Sequence, residues 1–206
     1  SKDPFALRRA GLGYLQISQE NGLKLLLEAA TEAWGDSGIL GRRVADFLFD
    51  RLGVQLRDQG VRHDFIQASR AWGLGVDTDS RVDRVEARAR ALATFLSTED
   101  GQNLLAGYKR AANILKKEGF ERADDIFLSY TPEPAEKALV DALDQAGPKA
   151  AAAVEAEDFA GAMAALALLR APIDAFFDTV TVNDADAAKR LSRLGLLAQF
   201  RDAVHQ

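Results

Sequence analysis

The segment from residue 104 to residue 117 carries two different stripes at helical spacing. The first stripe is apolar and consists of Leu104, Leu105, Tyr108, Ala112 and Leu115. The second is cationic or amide-bearing and consists of Lys109, Arg110, Asn113, Lys116 and Lys117. A period near 3.6 predicts an amphipathic helix that buries the first stripe and exposes the second. Such an exposed stripe can hold phosphates and still offer an amide to a base edge.

The rest of the chain follows the same helical pattern and shows almost no strand signal. Capping residues, glycines and prolines delimit the segments. We expect helices at about 4–21, 23–34, 64–72, 80–96, 98–119, 134–147 and 187–204, and one more whose apolar face runs from Val44 to Leu52. A further helix starts near Asp158, and Pro172 kinks or restarts it. The sequence therefore predicts an all-α chain built as a helical bundle.

Residue supply excludes most catalytic and metal chemistry. The chain has no cysteine and two histidines, His63 and His205. Disulfides, thiolate metal sites and cysteine nucleophiles are therefore excluded. Asp64, beside His63, is better explained as a helix cap than as a metal ligand. We expect no catalytic residue and no metal site in this chain.

The sequence also gives expectations about membrane spanning, the cellular compartment and the extent of the chain. The longest apolar stretch, around 162–169, is interrupted by Arg170 and Pro172, and we expect it to be too short to cross a membrane. With no secretion signal and no cysteine, a cytoplasmic location is the natural interpretation. The first residue is Ser1 rather than methionine. This start indicates a piece of a longer polypeptide.

The net charge of −5 argues against a polyanionic partner, but its distribution weakens that argument. Residues 133–158 hold two lysines and seven carboxylates, which equals the net charge of the whole chain. Residues 42–62, 81–90 and 187–206 each carry a positive excess. A local positive surface is therefore compatible with an acidic chain.

Several stretches, taken together, resemble the C-terminal part of the beta subunit of the bacterial tetrameric glycyl-tRNA synthetase. They are 1–10, 42–52, 107–115 and 170–183, and they span most of the chain. The resemblance implies an anticodon-binding (DALR-like) helical domain over 91–206, preceded by a helical body segment over 1–90. The family commonly has methionine where this chain has Thr181. Any contact made by that thioether is therefore in doubt here.

The resemblance also implies a role and partners. In that family the alpha subunit performs the ligase chemistry with ATP and magnesium, and the beta subunit grips the tRNA. This chain is then expected to be a non-catalytic part of a glycine-tRNA ligase that needs no cofactor itself. Its expected partners are tRNA(Gly) and the alpha subunit, with no DNA and no membrane.

Nine residues are candidates for RNA contact. They combine the cationic stripe, polar residues around the 173–180 segment, and two N-terminal arginines: Lys109, Arg110, Asn113, Lys117, Arg170, Asp178, Asn183, Arg8 and Arg9. Phe176 and Phe177 lie on an apolar stripe, so both rings are expected to be mainly buried. All glycine anticodons share cytosine at their second and third positions. A carboxylate such as Asp178 could accept a hydrogen bond from a cytosine amino group.

The sequence is also compatible with a second function. The chain could be a non-catalytic helical scaffold that docks other protein domains. Salt separates the two alternatives, because affinity based on phosphate contacts falls steeply with salt whereas apolar docking changes little.

Overall fold

The structure is a computed structural model that describes residues 4–33, 35, 39–71, 81–121 and 130–205. These residues form ten helices and no strand, which confirms the all-α prediction. Contacts between Cα atoms divide the chain into two compact units, Ser1–Ala93 and Thr94–Gln206. The functional boundary expected after residue 90 stays a prediction.

The first unit contains four helices and most of a fifth. They are α1 (Pro4–Asn21), α2 (Leu27–Glu32), α3 (Ile39–Asp58), α4 (His63–Ala71) and α5 (Val82–Leu96), the last of which continues past the unit boundary. The core of this unit is built around Leu15, Leu52, Leu56 and Ala89, all buried. Burial of such apolar side chains is the main favourable term in folding.

The second unit contains the other five helices. They are α6 (Glu99–Glu118), α7 (Pro134–Glu155), α8 (Phe159–Ala167), α9 (Arg170–Thr179) and α10 (Ala187–His205). Its core is larger and includes Leu139, Ile173, Phe176, Leu197 and Phe200, which are fully buried.

The second helix is shorter than predicted from the sequence. Its expected start at Leu23 is wrong, since residues 23–26 are not helical. The Leu23 N–H donates to the Ser18 carbonyl at 2.9 Å, and Ser18 Oγ donates to the Leu23 carbonyl at 3.3 Å. These bonds close the end of α1, after which the backbone is extended at Leu26. The next helix therefore begins only at Leu27.

The seventh helix is longer than predicted. It was expected to end near Gly147, but it continues through Pro148 to Glu155. Proline inside a helix removes one backbone bond and costs about 3 kcal/mol. Ala146 and Ala150 flank it and are both buried in the core of the second unit. Tertiary packing therefore outweighs the local signal.

Helices α6 and α9 approach closely at a glycine. A Cβ atom built on Gly107 would lie 3.2 Å from Ile173 Cγ2 and 3.9 Å from the Phe200 ring. Because Ile173 and Phe200 are fully buried, they have little space to move away. The missing side chain at Gly107 thus lets the α6 backbone approach α9, and Arg110, one turn later, lies beside Phe177 of α9.

The segment Phe159–Thr179 is long and apolar enough, by length and composition, to cross a membrane, with a mean hydropathy of 1.4 in its most apolar window. The expectation that the apolar stretch is too short was therefore wrong. The segment consists of the two helices α8 and α9, and Leu169, Ile173 and Phe176 are completely buried in the core. A segment of a protein core can have the same length and apolar composition, so these two properties are only weak support for a membrane span.

Candidate nucleic-acid interface

Helix α6 presents its polar stripe to solvent as predicted. Its start is fixed by Thr98, whose Oγ1 accepts from the Gly101 N–H at 3.1 Å. Its end is fixed by Gly119 in the left-handed region, with φ 63°. The exposed residues are Lys109, Arg110, Asn113, Lys116 and Lys117. They fall within about a third of the helix circumference.

The buried stripe of α6 is rotated slightly from the one predicted. Its buried positions after Leu104 are Gly107, Ala111 and Leu115, whereas Leu105, Tyr108 and Ala112 are only partly buried. The small residues Gly107 and Ala111 let neighbouring helices approach the α6 backbone. The cations keep their exposure because they lie opposite this stripe.

The four cations of α6 differ from the arginines of α9 and α10. In the described part of the chain, no carboxylate pairs with any of them: Lys109, Arg110, Lys116 and Lys117. By contrast, Arg170, Arg190, Arg193 and Arg201 all form ion pairs. A set of unpaired cations on one helix face is a ready contact surface for phosphates.

An open groove of about 320 Å³ lies between α6 and α9. This α6–α9 groove is lined by Asn103, Ala106, Gly107, Arg110, Asp174, Phe177 and Asp178. The Arg110 guanidinium lies 4.2 Å from the centroid of the Phe177 ring, a cation–π contact. The structure therefore brings two predicted contact residues, Arg110 and Asp178, to one groove.

The prediction that both phenylalanine rings are mainly buried holds fully for Phe176 and only in part for Phe177. Phe176 is fully buried in the core, while Phe177 is partly buried and packs against that core from outside. The two rings meet edge to face, with centroids 5.8 Å apart. Phe177 thus connects the core to the α6–α9 groove.

Arg170 is held by carboxylates. Its Nη1 lies 3.4 Å from Asp100 Oδ1, and its Nε lies 3.3 Å from Asp174 Oδ2. These ion pairs neutralise part of the Arg170 charge beside the groove. Its predicted RNA contact stays a prediction.

A second, smaller groove of about 190 Å³ lies between α6 and α10. This α6–α10 groove is lined by Ile114, Lys117, Glu118, Val182, Asn183, Arg190 and Leu194. It brings Lys117 and Asn183 together, two more predicted contact residues. Arg190 of α10 forms an ion pair with Glu118 of α6 across this groove.

A buried charge network supports the segment that carries Asn183. The Arg193 side chain is 1% exposed, and its Nε donates to Glu136 Oε1 at 2.7 Å. Its Nη1 donates to the Thr181 carbonyl at 2.8 Å and to Asp184 Oδ2 at 2.7 Å. Arg193 therefore holds the connection between α9 and α10 from inside.

The same network includes the first turn of α7. Arg193 Nη2 donates to Glu133 Oε1, and the Tyr130 hydroxyl donates to Glu136 Oε1, both at 2.6 Å. Glu136 Oε2 accepts from the Glu133 N–H at 2.6 Å. Each buried charge is thus paired and hydrogen-bonded, as burial of charge requires.

These contacts shift the acid–base behaviour of the network. Burial by itself raises the pKa of Glu136, but hydrogen bonds from Tyr130 and Arg193 outweigh it and lower that pKa. Burial, with the hydrogen bond to Glu136, raises the pKa of Tyr130 to about 12. Burial by itself lowers the pKa of Arg193, but Glu136 raises it above its ordinary value. At neutral pH Glu136 and Arg193 are therefore ionised, while the Tyr130 hydroxyl keeps its proton.

Sequence reasoning missed Arg193. A signal was present, because Arg193 precedes Leu196, Leu197 and Phe200 on one helical stripe, so it points into the core. Its partner Glu136 lies 57 positions earlier. Helical periodicity cannot reveal a pair at such a distance.

The predicted N-terminal contact residues lie in the first unit. Arg8 and Arg9 are exposed on α1. Arg8 lines an open groove of about 540 Å³ together with Arg51 and Asp58, among others. Their predicted RNA contacts stay predictions.

The His63–Asp64 pair is explained by local contacts. Asp64 lies in the first turn of α4 rather than at its cap, and its Oδ2 accepts from Arg62 Nη2 at 2.6 Å. This hydrogen bond lowers the pKa of Asp64. Among the described residues, no group of three or more histidine, aspartate or glutamate side chains could hold a metal ion.

Comparison with known proteins assigns both parts of the chain. Residues 1–71 match the family model of the glycyl-tRNA synthetase beta subunit. Residues 104–206 match the model of the DALR anticodon binding domain. These two matches cover the two units in chain order.

Curated relatives agree with these matches. The chain is 43% identical over 211 residues to the glycine–tRNA ligase beta subunit of Ruegeria sp. (strain TM1040), 45% over 207 residues to that of Phenylobacterium zucineum, and 44% over 218 residues to that of Rhodospirillum centenum. The alignments cover 99–100% of this chain and 29–30% of each relative, so the chain spans about 30% of their length. The chain therefore belongs to the glycyl-tRNA synthetase beta subunit family, and its residues 104–206 form a DALR anticodon-binding domain.

Proposed function

We propose that this chain is a non-catalytic, tRNA(Gly)-binding part of a glycine–tRNA ligase. In this proposal the second unit holds the anticodon loop, while the alpha subunit carries out aminoacylation in the cytoplasm with ATP and magnesium. The chain itself needs no cofactor. Its contribution is to position the tRNA so that the acceptor end reaches a distant active site.

The observation that carries this proposal is the set of four cations on α6 that pair with no carboxylate among the residues the structure describes. Phosphates supply most of the affinity of nucleic-acid complexes, and unpaired lysines and arginines bind them without first breaking an internal ion pair. The two grooves, one lined by Arg110 and the other by Lys117, add an aromatic ring, carboxylates and amides within reach of splayed bases. Single-stranded RNA loops are recognised through such groups.

The acidic character of the chain does not oppose this interpretation. The carboxylates of residues 133–158 lie mainly on α7 and its C-terminal connection, whereas the cations lie on α6. Exposed charges separated by more than about 10 Å are largely screened at ordinary ionic strength. A local cationic face can therefore bind RNA on an acidic protein, with modest affinity.

The test is a titration of tRNA(Gly) with this chain at several salt concentrations, measured by fluorescence anisotropy. We expect the logarithm of the affinity to fall steeply with the logarithm of salt concentration. The double variant Lys109→Ala/Arg110→Ala should weaken binding and reduce that slope by about 1 to 1.5, at about 0.7 per phosphate contact on a single strand.

A matched control removes the same charge elsewhere. Lys137 and Lys149 are exposed on α7, so Lys137→Ala/Lys149→Ala should leave affinity and slope nearly unchanged. Circular dichroism checks that helicity is retained in both variants. Equal behaviour of the two double variants would show that the α6 cations are only solvated.

Docking of another protein is the second candidate function. Exposed apolar side chains on α1 favour it, namely Phe5, Leu7, Leu12 and Ile17. Such a surface would bind a protein partner with little dependence on salt. Salt-insensitive capture of a protein, without tRNA binding, would favour this alternative.

A further inference from the structure

The α6–α9 groove contains a preformed platform for a planar ligand. Phe177 is anchored by its edge-to-face contact with the buried Phe176, and it supports the Arg110 guanidinium at 4.2 Å. The guanidinium carbon thus lies over an aromatic ring. Arg110 is also an exposed residue that lines the groove, so a ligand in the groove can reach it. Unstacked RNA bases stack on guanidinium planes held in this way.

Asp178 gives the groove a hydrogen-bond acceptor. In the part of the chain that the structure describes, its exposed carboxylate has neither a hydrogen-bond nor an ion-pair partner. The other carboxylate of the groove, Asp174, already lies 3.3 Å from Arg170 Nε. Of the two carboxylates that line the groove, Asp178 is therefore the one available to accept a hydrogen bond from a ligand.

The position of Asp178 has no stabilising explanation within its own helix. It lies in the last turn of α9, where the partial negative charge of the helix end disfavours a carboxylate. It also lines one groove with Arg110, a cation that can hold a phosphate, and a carboxylate there would repel that phosphate. A ligand group that donates an N–H would account for its presence.

We propose that the α6–α9 groove is a binding site for one unstacked base with an exocyclic amino group, specifically a cytosine of the anticodon loop. This site rests on the proposed function. The base stacks on the Arg110–Phe177 platform, and Asp178 accepts a hydrogen bond from its amino group. Asn103, which lines the same groove, offers an amide for the ring nitrogen or carbonyl. The choice of cytosine follows from the two cytosines that all glycine anticodons share.

The experiment removes only the amino group. The tRNA(Gly) probe carries pyrimidin-2-one, which is cytosine without its exocyclic amino group, at one or the other shared anticodon position. The unaltered chain should lose about tenfold or more in affinity for one of these two tRNAs, at one fixed salt concentration.

The variant Asp178→Ala completes a double-mutant cycle. It should lose a similar factor with natural tRNA(Gly) and lose nothing further with the sensitive pyrimidin-2-one tRNA. Asp144→Ala serves as the matched control, because it removes an exposed carboxylate from α7 and should leave both affinities unchanged.

Two results would overturn the site. The first is a higher affinity of Asp178→Ala for natural tRNA, which would show that the carboxylate only repels phosphate. Equal affinity of the unaltered chain for all three tRNAs would exclude readout of the amino group. Both results leave the salt-dependent effect of Lys109 and Arg110 intact. Absence of salt-dependent binding to any tRNA would instead overturn the proposed function and the site together.

Discussion

Arg193 donates from Nε to Glu136 Oε1 at 2.7 Å, and both side chains are almost completely buried. This pair joins α10 to the first turn of α7. Removing one partner of a buried pair leaves an uncompensated charge and typically costs about 3 to 5 kcal/mol. The pair is therefore a point at which the second unit can be tested directly.

We predict that Glu136→Ala lowers the free energy of unfolding of the second unit by about 3 to 5 kcal/mol. Urea denaturation measures the loss, and hydrogen exchange of α7 and α10 assigns it to this unit. Asp202→Ala, which breaks the more exposed Arg201–Asp202 pair, should cost no more than about 1 kcal/mol. Similar losses from both variants would contradict a central role for the buried pair.

The raised pKa of Tyr130 predicts that the folded chain loses stability at alkaline pH. Its pKa is raised from 10.0 to about 12 in the folded chain, so the unfolded chain loses the hydroxyl proton first. The stabilisation is complete below pH 10 and disappears as the pH rises to about 12. In urea denaturation across this window, Tyr130→Phe should lose less stability than the unaltered chain. Parallel curves would contradict the raised pKa.

The adjacent rings Phe176 and Phe177 should respond differently to truncation. Phe176→Ala opens a cavity in the core and should cost about 3 to 5 kcal/mol in unfolding free energy. Phe177→Ala should cost less, because this ring is only partly buried, yet it should weaken tRNA binding through loss of the support for Arg110. Unfolding and tRNA titration of both variants provide the comparison. Unchanged tRNA affinity in Phe177→Ala would contradict the platform.

The sequence predicted the parts of the fold that depend on local chemistry. Thr98 and Gly119 delimit α6 as expected, and its cationic stripe is exposed. Features that depend on distant partners could not be predicted in this way. The passage of α7 through Pro148 depends on buried alanines, and the depth of Arg193 depends on Glu136, Glu133 and Asp184.

The candidate site shows the same division. Exposure of Arg110 and Asp178 follows from helical period alone. Their presence in one groove depends on the close approach of α6 and α9 at Gly107. There, a Cβ atom on residue 107 would lie only 3.2 Å from Ile173 Cγ2. A glycine within a helix indicates close packing but does not identify the neighbour.

Catalysis should be absent from this chain by itself. We predict no glycine-dependent exchange between ATP and pyrophosphate, and no formation of glycyl-tRNA without an alpha subunit, because no nucleotide-binding motif is evident in the sequence. The assay uses the purified chain with and without added alpha subunit. Exchange activity of the chain alone would contradict the non-catalytic assignment.

A nuclease footprint of this chain on tRNA(Gly) tests the central claim most directly, because it maps where the RNA is covered. We predict protection of the anticodon loop, including the two shared cytosines, and loss of that protection in Lys109→Ala/Arg110→Ala. The acceptor stem should stay accessible to the nuclease. Protection confined to the acceptor stem, or an identical footprint from the double variant, would contradict the assignment of α6 and its grooves as the anticodon-binding surface.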